Sequence, residues 1–399
     1  MQAFTFNLPT KIIFGAGTLS RLKKNIKGLG KKALIVIGQG SVKKYGYLKK
    51  VTEQLDAINV ESIIFEGIEP NPRVSTIDKA AELARKANPK FVIALGGGSV
   101  MDAAKCISML AVNEGSIWDY AYRGGNLERK PFQKALPLIC IPTVAATSSE
   151  TDRYAVVTNS ETREKTGVFG DAFFPLISII DPELTFTLPQ KATVDGAIDI
   201  IVHVLESYLS SSEETPLQDR FSLAIVKTVM DYLSQALNNG YDISARTQLS
   251  WCSSLAISGF LSGRDGGWPM HAMEHVLSGY YDISHGEGLA VLLPAILKFD
   301  LPYNIKKIAE LGRYLFSLPF ESSFEKTATN SISSFIGWLK KVGAYKTLDQ
   351  IITNNNRNLD FEKMAGDVVR LSGNYQGYLP NIVPMSKQDI INIFESVTR

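Results

Sequence analysis

Cysteine is scarce in this chain. Three thiols, Cys106, Cys140 and Cys252, stand far apart in apolar surroundings among 399 residues, so no disulfide framework is expected and the thiols read as buried and free. Charge of one sign is also lacking. Lys and Arg number 42 against 40 Asp and Glu, leaving a formal net charge of +2, with no block of like charges to attract nucleic acid or an anionic membrane surface. No apolar run approaches the roughly 18 to 20 residues that span a bilayer, and the densest, 135–146, is interrupted by Pro137 and Pro142. The first nine residues show neither the basic start nor the apolar core of a secretory signal, which predicts a soluble, cytoplasmic protein. What is present is ordinary: 45% hydrophobic and 21% charged residues exclude a disordered or collagenous chain. At about 150 residues per domain, the length suits two or three domains.

Short apolar, β-branched runs at 33–37, 61–65, 91–95, 136–141 and 176–180 alternate with helical patterns, as a doubly wound parallel sheet requires. Between the second and third runs, Ile77, Ala80, Ala81 and Ala84 share one face of a predicted crossover helix. After Asp181-Pro182-Glu183-Leu184 the β-rich runs end, and long helical patterns follow at 197–210, 216–237 and 248–261. The expected organisation is an α/β dinucleotide-binding domain over 1–185 and an all-helical metal-binding domain over 186–399. The chain shows no internal repeat.

The run at 91–95 leads into Gly96-Gly97-Gly98-Ser99, and a helical pattern begins at Val100. Glycines let backbone N–H groups approach an anion, and the helix start adds its positive dipole end, so the segment reads as a pyrophosphate cradle or as a tight strand-to-helix turn. Its place after the third predicted strand departs from the usual Rossmann order. The tip of the first predicted strand, Gly38-Gln39-Gly40-Ser41, would then meet the adenosine end of a dinucleotide. It bears no carboxylate and has Lys43 and Lys44 nearby, which favours NADP(H) over NAD(H).

Histidine is also scarce, at four. Asp199 and His203 are four apart on a helical pattern; His271 and His275 repeat that spacing, and His285 follows. A core-packing explanation would have to hold four times over. Facing i,i+4 pairs can close a mononuclear site that keeps an open position. Asp199, His203, His271 and His285 are the expected ligands of one divalent ion, Fe(II), Zn(II) or Ni(II). Pro269 suits the first position of the second ligand helix. His275 could be an alternative ligand, a supporting residue or an acid/base group.

At these residues the chain resembles the iron-containing (group III) alcohol dehydrogenases over nearly its whole length. The segments that carry the likeness are Phe14-Gly15-Ala16-Gly17, Glu69-Pro70-Asn71-Pro72, Gly96-Gly97-Gly98-Ser99 with Asp102 and Lys105, Ile141-Pro142-Thr143, Asp181-Pro182-Glu183-Leu184 and the Asp199-to-His285 set. Trp268 and the Gly38-to-Ser41 tip look most like the NADP(H)-dependent butanol dehydrogenase and aldehyde reductase subgroup. The resemblance implies a dehydroquinate-synthase-like architecture with the nucleotide between the two halves, a homodimer, and nucleotide contacts at Asn71, Gly97, Gly98, Ser99, Asp102, Thr143, Thr147, Ser149 and Lys165. Ala146 and Ser148 depart from it, since the family usually has glycine at both places. The implied reaction passes a hydride between nicotinamide and a small alcohol or aldehyde, with the metal as Lewis acid. Proton traffic would go through His275 or water. Trp268 would line an apolar substrate wall, with core packing as the competing explanation. Asp152 would face the cleft or sit in a surface turn. Rival activities are an NAD-dependent polyol dehydrogenase, a dehydroquinate-synthase-like lyase, which would need clustered basic residues, and a non-enzymatic metal or nucleotide binder.

Overall fold

The computed structural model describes residues 1–124, 129–319, 323–352 and 359–399. Its strands are β1 (Lys11–Phe14), β2 (Lys32–Gly38), β3 (Glu61–Ile68), β4 (Phe91–Gly96), β5 (Leu138–Pro142), β6 (Tyr154–Asn159), β7 (Glu164–Phe169) and β8 (Ile177–Ile180). Six of them form one parallel sheet in the order β1-β8-β5-β4-β2-β3, while β6 and β7 pair as an antiparallel hairpin. Strands covered on both faces need continuous apolar runs. Leu34 and Val36 of β2 accordingly pack with Ile77, Ala80 and Ala84 of helix Val74–Ala87, and Ile35 and Ile37 with Leu48 and Val51 of helix Tyr47–Asp56.

From β2 the chain moves outward to β3 and then crosses back to β4 on the other side of β2. The order of strands therefore reverses between β2 and β4, and ligands of open α/β sheets bind at the carboxyl ends beside such a point. Gly38 and Gly96 end these two neighbouring strands.

All five expected strands are present, and three more were not expected. β1 is a four-residue edge strand, and the hairpin mixes Thr, Asn, Glu and Lys into its strands. Neither gives the apolar run that marks a doubly covered strand. The glycine loop consequently follows the fourth strand, not the third, and between β5 and β8 the chain inserts the hairpin where a crossover helix was expected.

Beyond the short turn Pro182–Thr185 come helices Gln190–Leu209, Pro216–Asn238, Ile243–Ala256, Pro269–Tyr281 and His285–Asp300, packed around Tyr208, Val226, Leu233, Leu277 and Leu292. Among the described residues no helix is long and apolar enough to cross a membrane. Three of these helices touch another main chain at a glycine. A Cβ would lie 2.4 Å from the Ala145 carbonyl oxygen at Gly196, 2.4 Å from that of Arg163 at Gly279, and 2.4 Å from that of Asp195 at Gly286. Side chains are excluded there by contact, not by backbone conformation.

Candidate metal centre and nucleotide cleft

Helix Gln190–Leu209 carries Asp199 and His203, helix Pro269–Tyr281 carries His271 and His275, and His285 opens the helix that follows. Pro269 occupies the helix start as expected, where its missing N–H costs nothing. The four expected ligands meet. Asp199 Oδ1 lies 3.0 Å from His203 Nδ1, 3.7 Å from His271 Nε2 and 3.6 Å from His285 Nε2. Ligand atoms of Asp199, His271 and His285 fall within 4.8 Å of one another, and the His203 and His271 rings are 4.3 Å apart.

Asp199 Oδ1, His203 Nδ1 and His271 Nε2 are buried without a hydrogen-bond partner. An unpaired buried polar atom costs about 1–3 kcal/mol, so three converging on one point mark a place where a bound group must supply the missing bonds. A carboxylate with imidazole nitrogens is a donor set for a divalent transition metal, and the residues fit that group.

Two buried glutamates that the sequence reading missed hold the rings. Glu206 accepts the backbone N–H groups of Met270 and His271 and contacts His271 Nδ1, which leaves Nε2 facing Asp199. Glu274 contacts His285 Nδ1 in the same manner, and the Ser278 hydroxyl donates to its other oxygen. Each glutamate stands three residues after a ligand histidine in an otherwise apolar helix, and that spacing is the signal that could have found them. Burial opposes charge on His271, but Glu206 and Asp199 outweigh it and push its pKa up to about 10. Burial likewise opposes charge on Asp199, and the neighbouring histidines hold it well below the usual carboxylate range.

His275 lines the cleft with its ring 6.2 Å from His271 and 5.8 Å from His285. Burial, reinforced by the Lys165 ammonium, holds it well below the usual imidazole range and hence neutral. Glu274, His275 and His285 form a second close set, but Lys165 Nζ lies 3.2 Å from Glu274 and already supplies positive charge there.

A cleft of about 980 Å³ runs from these histidines to the glycine loop. Asn71, Gly98, Ser99, Asp102, Thr147, Ser149 and Lys165 line it, whereas Gly38, Ser41, Gly97 and Thr143 do not. The last four stand at or beside the carboxyl ends of β2, β4 and β5. The loop helix starts at Gly98, two residues before its expected start. A Cβ on Gly98 would lie 2.5 Å from Thr147 Cγ2, so a side chain at this position would have to displace that of Thr147. Ser149 donates to Asp102, which also accepts the Val156 N–H. Asp152 is buried and paired with the fully buried Lys105 at 2.7 Å, which sets aside the surface-turn alternative. Ser148, at one of the departures from the family pattern, adopts a left-handed φ of 56°, which accounts for the usual glycine; here its hydroxyl donates to the Ser253 carbonyl. Trp268 is 44% exposed and lines the cleft, 5.7 Å from the His271 ring, which excludes the core-packing explanation.

The β2 tip itself bears no carboxylate, but β3 delivers Glu66 beside it, where it pairs with Lys43, and Lys44 sits over the Tyr45 ring. The lysines are not both free for a 2′-phosphate.

Residues 9–182 match the family model for iron-containing alcohol dehydrogenase, and residues 193–398 match that for the C-terminal part of the same family. NADH-dependent butanol dehydrogenase A of Clostridium acetobutylicum is 36% identical, covering 99% of both chains. NADPH-dependent aldehyde reductase YqhD of Escherichia coli is 33% identical over 74% of this chain and 76% of its own length. The crystal structure of NADH-dependent butanol dehydrogenase A from Thermotoga maritima superposes with a TM-score of 0.92 at 35% identity, covering 100% of this chain and 99% of the other. With matching models on both halves and likeness over nearly the full length, the chain belongs to the iron-containing alcohol dehydrogenase family and is an NAD(P)-dependent oxidoreductase.

Proposed function

We propose that the protein is a metal-dependent alcohol dehydrogenase or aldehyde reductase that passes a hydride between a nicotinamide nucleotide and a small aliphatic alcohol or aldehyde. The observation that carries this reading is the convergence of unpartnered buried atoms of Asp199, His203 and His271 at the end of a cleft whose other end is the glycine loop. Asp199, His203, His271 and His285 would hold the metal, which when bound supplies Lewis-acid polarisation of a substrate oxygen. Gly98 and Ser99, which line the cleft, and Gly97 just before them would bring backbone N–H groups to the pyrophosphate. Trp268, Ile257, Leu261 and Leu379 give the substrate end apolar walls, which favours an aliphatic substrate over a polyol. His275, held neutral and lining the cleft, would exchange a proton between substrate and solvent.

The lyase reading needs basic side chains beside the metal. Among the described residues the three basic side chains that line the cleft are committed: Arg264 binds Asp219, Ser222, Ser207 and Thr215, Lys165 binds Glu274, and Arg153 pairs with Asp171. On the nucleotide, the tip from Gly38 to Ser41 carries no carboxylate, which supports NADP(H), while Glu66 beside Lys43 works against it. E66Q is expected to tighten NADPH relative to NADH about tenfold, read by titrating nucleotide fluorescence. The division at 185, the homodimer and the cytoplasmic location belong to the same proposal.

The test is oxidation of NADPH or NADH by butanal, followed by loss of the reduced nicotinamide absorbance in metal-loaded protein, with metal content measured beside it. Turnover in the wild type and none in H271A supports the reading. Absence of nucleotide oxidation with a panel of alcohols and aldehydes would sink it.

A further inference from the structure

His285 is the least buried of the four metal-binding side chains, at 24% exposure against 4% for Asp199 and 10% for His203 and His271. It also follows a turn, whereas the other three lie within helices. That turn begins at Asp282, which caps helix Pro269–Tyr281 in the left-handed conformation at φ 52°, and passes through Ile283 and Ser284 to His285. Within its own half, Ser278 Oγ donates to the Ile283 carbonyl at 3.3 Å and Ser284 Oγ to Asp195 Oδ2 at 2.7 Å, and at Asp282 the turn is gripped from the other half of the molecule. Asn71 Nδ2 donates to Asp282 Oδ1 at 2.9 Å and to the Ile283 carbonyl at 3.3 Å, and Arg73 pairs with Asp282 Oδ2 at 2.7 Å. Asn71 is itself buried and left-handed at φ 53°, held between two prolines just after β3.

We propose that Asn71 and Arg73, by gripping both carboxylate oxygens of Asp282, form a clamp that positions His285 and thereby sets how tightly the divalent metal is retained. The proposal rests on the metal-centre reading above and adds positioning residues outside the metal's own helices. Removing the clamp loosens the turn, which Ser278, Ser284 and Glu274 then hold without it, so part of the ordering of His285 must be supplied when the metal binds, and that weakens binding. The other ligands keep their geometry, because Glu206 and the helix contacts at Gly196 and Gly279 do not involve the turn.

The experiment is Zn(II) affinity of the full-length protein by competition with a chromophoric chelator, for wild type, D282G, D282N, R73M, D199N and the remote surface variant K227M. D282G keeps a backbone free to adopt positive φ while losing both contacts. Expected are about tenfold or greater weakening in D282G, about three- to tenfold in R73M, a smaller loss in D282N and none in K227M. Far-ultraviolet circular dichroism of the metal-free proteins reports folding, and if D282G does not fold, R73M decides alone. Wild-type affinity in folded D282G and R73M, with D199N still impaired, overturns the clamp and leaves the metal centre standing. Zn(II) uptake that D199N does not impair sinks both.

Discussion

The two ends of the cleft solve opposite problems. At the metal end, buried polar atoms are left without partners and aimed at one point. At the nucleotide end, the polar side chains satisfy one another: Ser149 with Asp102, Asp102 with Val156, Lys105 with Asp152 and with the Tyr154 carbonyl. The first end is built to be completed by a group that supplies bonds. The second is complete before anything binds, and recognises a ligand by how closely its main chain can approach. The metal end thus offers its side chains as ligands, whereas at the nucleotide end the glycine loop offers its main chain.

The largest expected effect tests the first half of that contrast. D199N removes the charge shared by the three histidines and should abolish metal retention, lowering metal-dependent turnover by about a thousandfold or more, while nucleotide titration stays near wild type. E206Q should weaken metal affinity by about 10- to 100-fold, since it loosens the His271 ring without touching the ion; competition with a chelator measures it. The pH dependence follows from His271. Its pKa near 10 in the metal-free protein lies above the ordinary imidazole value of 6.5, so the stability it contributes is fully present below pH 6.5 and is lost as pH rises through 10. The ion must displace that proton, and metal affinity should rise about tenfold per pH unit between pH 7 and 9. A flat profile would show that His271 binds no proton there. The smallest effect belongs to the other end: G98A pushes a methyl group into Thr147 and should weaken nucleotide binding about tenfold or less while Zn(II) affinity is unchanged. Loss of metal in G98A would break the contrast.

The same contrast decides what could be read in the sequence. Asp199, His203, His271 and His285 were legible because titratable residues at helical spacing stand out in a chain with four histidines. Glu206 and Glu274 were passed over because one carboxylate on a helix looks like a solvated face until its burial is known. Doubly covered strands announced themselves by continuous apolar runs; β1 and the β6–β7 hairpin, with other neighbours to satisfy, did not. Glu66 escaped notice because register, not sequence distance, brings it beside the β2 tip. Asn71 was expected to touch the nucleotide and does line the cleft, but its amide is also committed to Asp282 and Ile283, a tertiary fact that no local pattern encodes.

The glycine contacts at positions 196, 279 and 286 carry a consequence for how this enzyme can change over generations. The ligand-bearing helices there lean on carbonyl oxygens of other segments, so their spacing is inherited from the backbone and does not depend on which residues decorate the cleft. Trp268, exposed over the cleft, can therefore be exchanged without disturbing those contacts, whereas a single methyl group at one of the three glycines would push the helices apart.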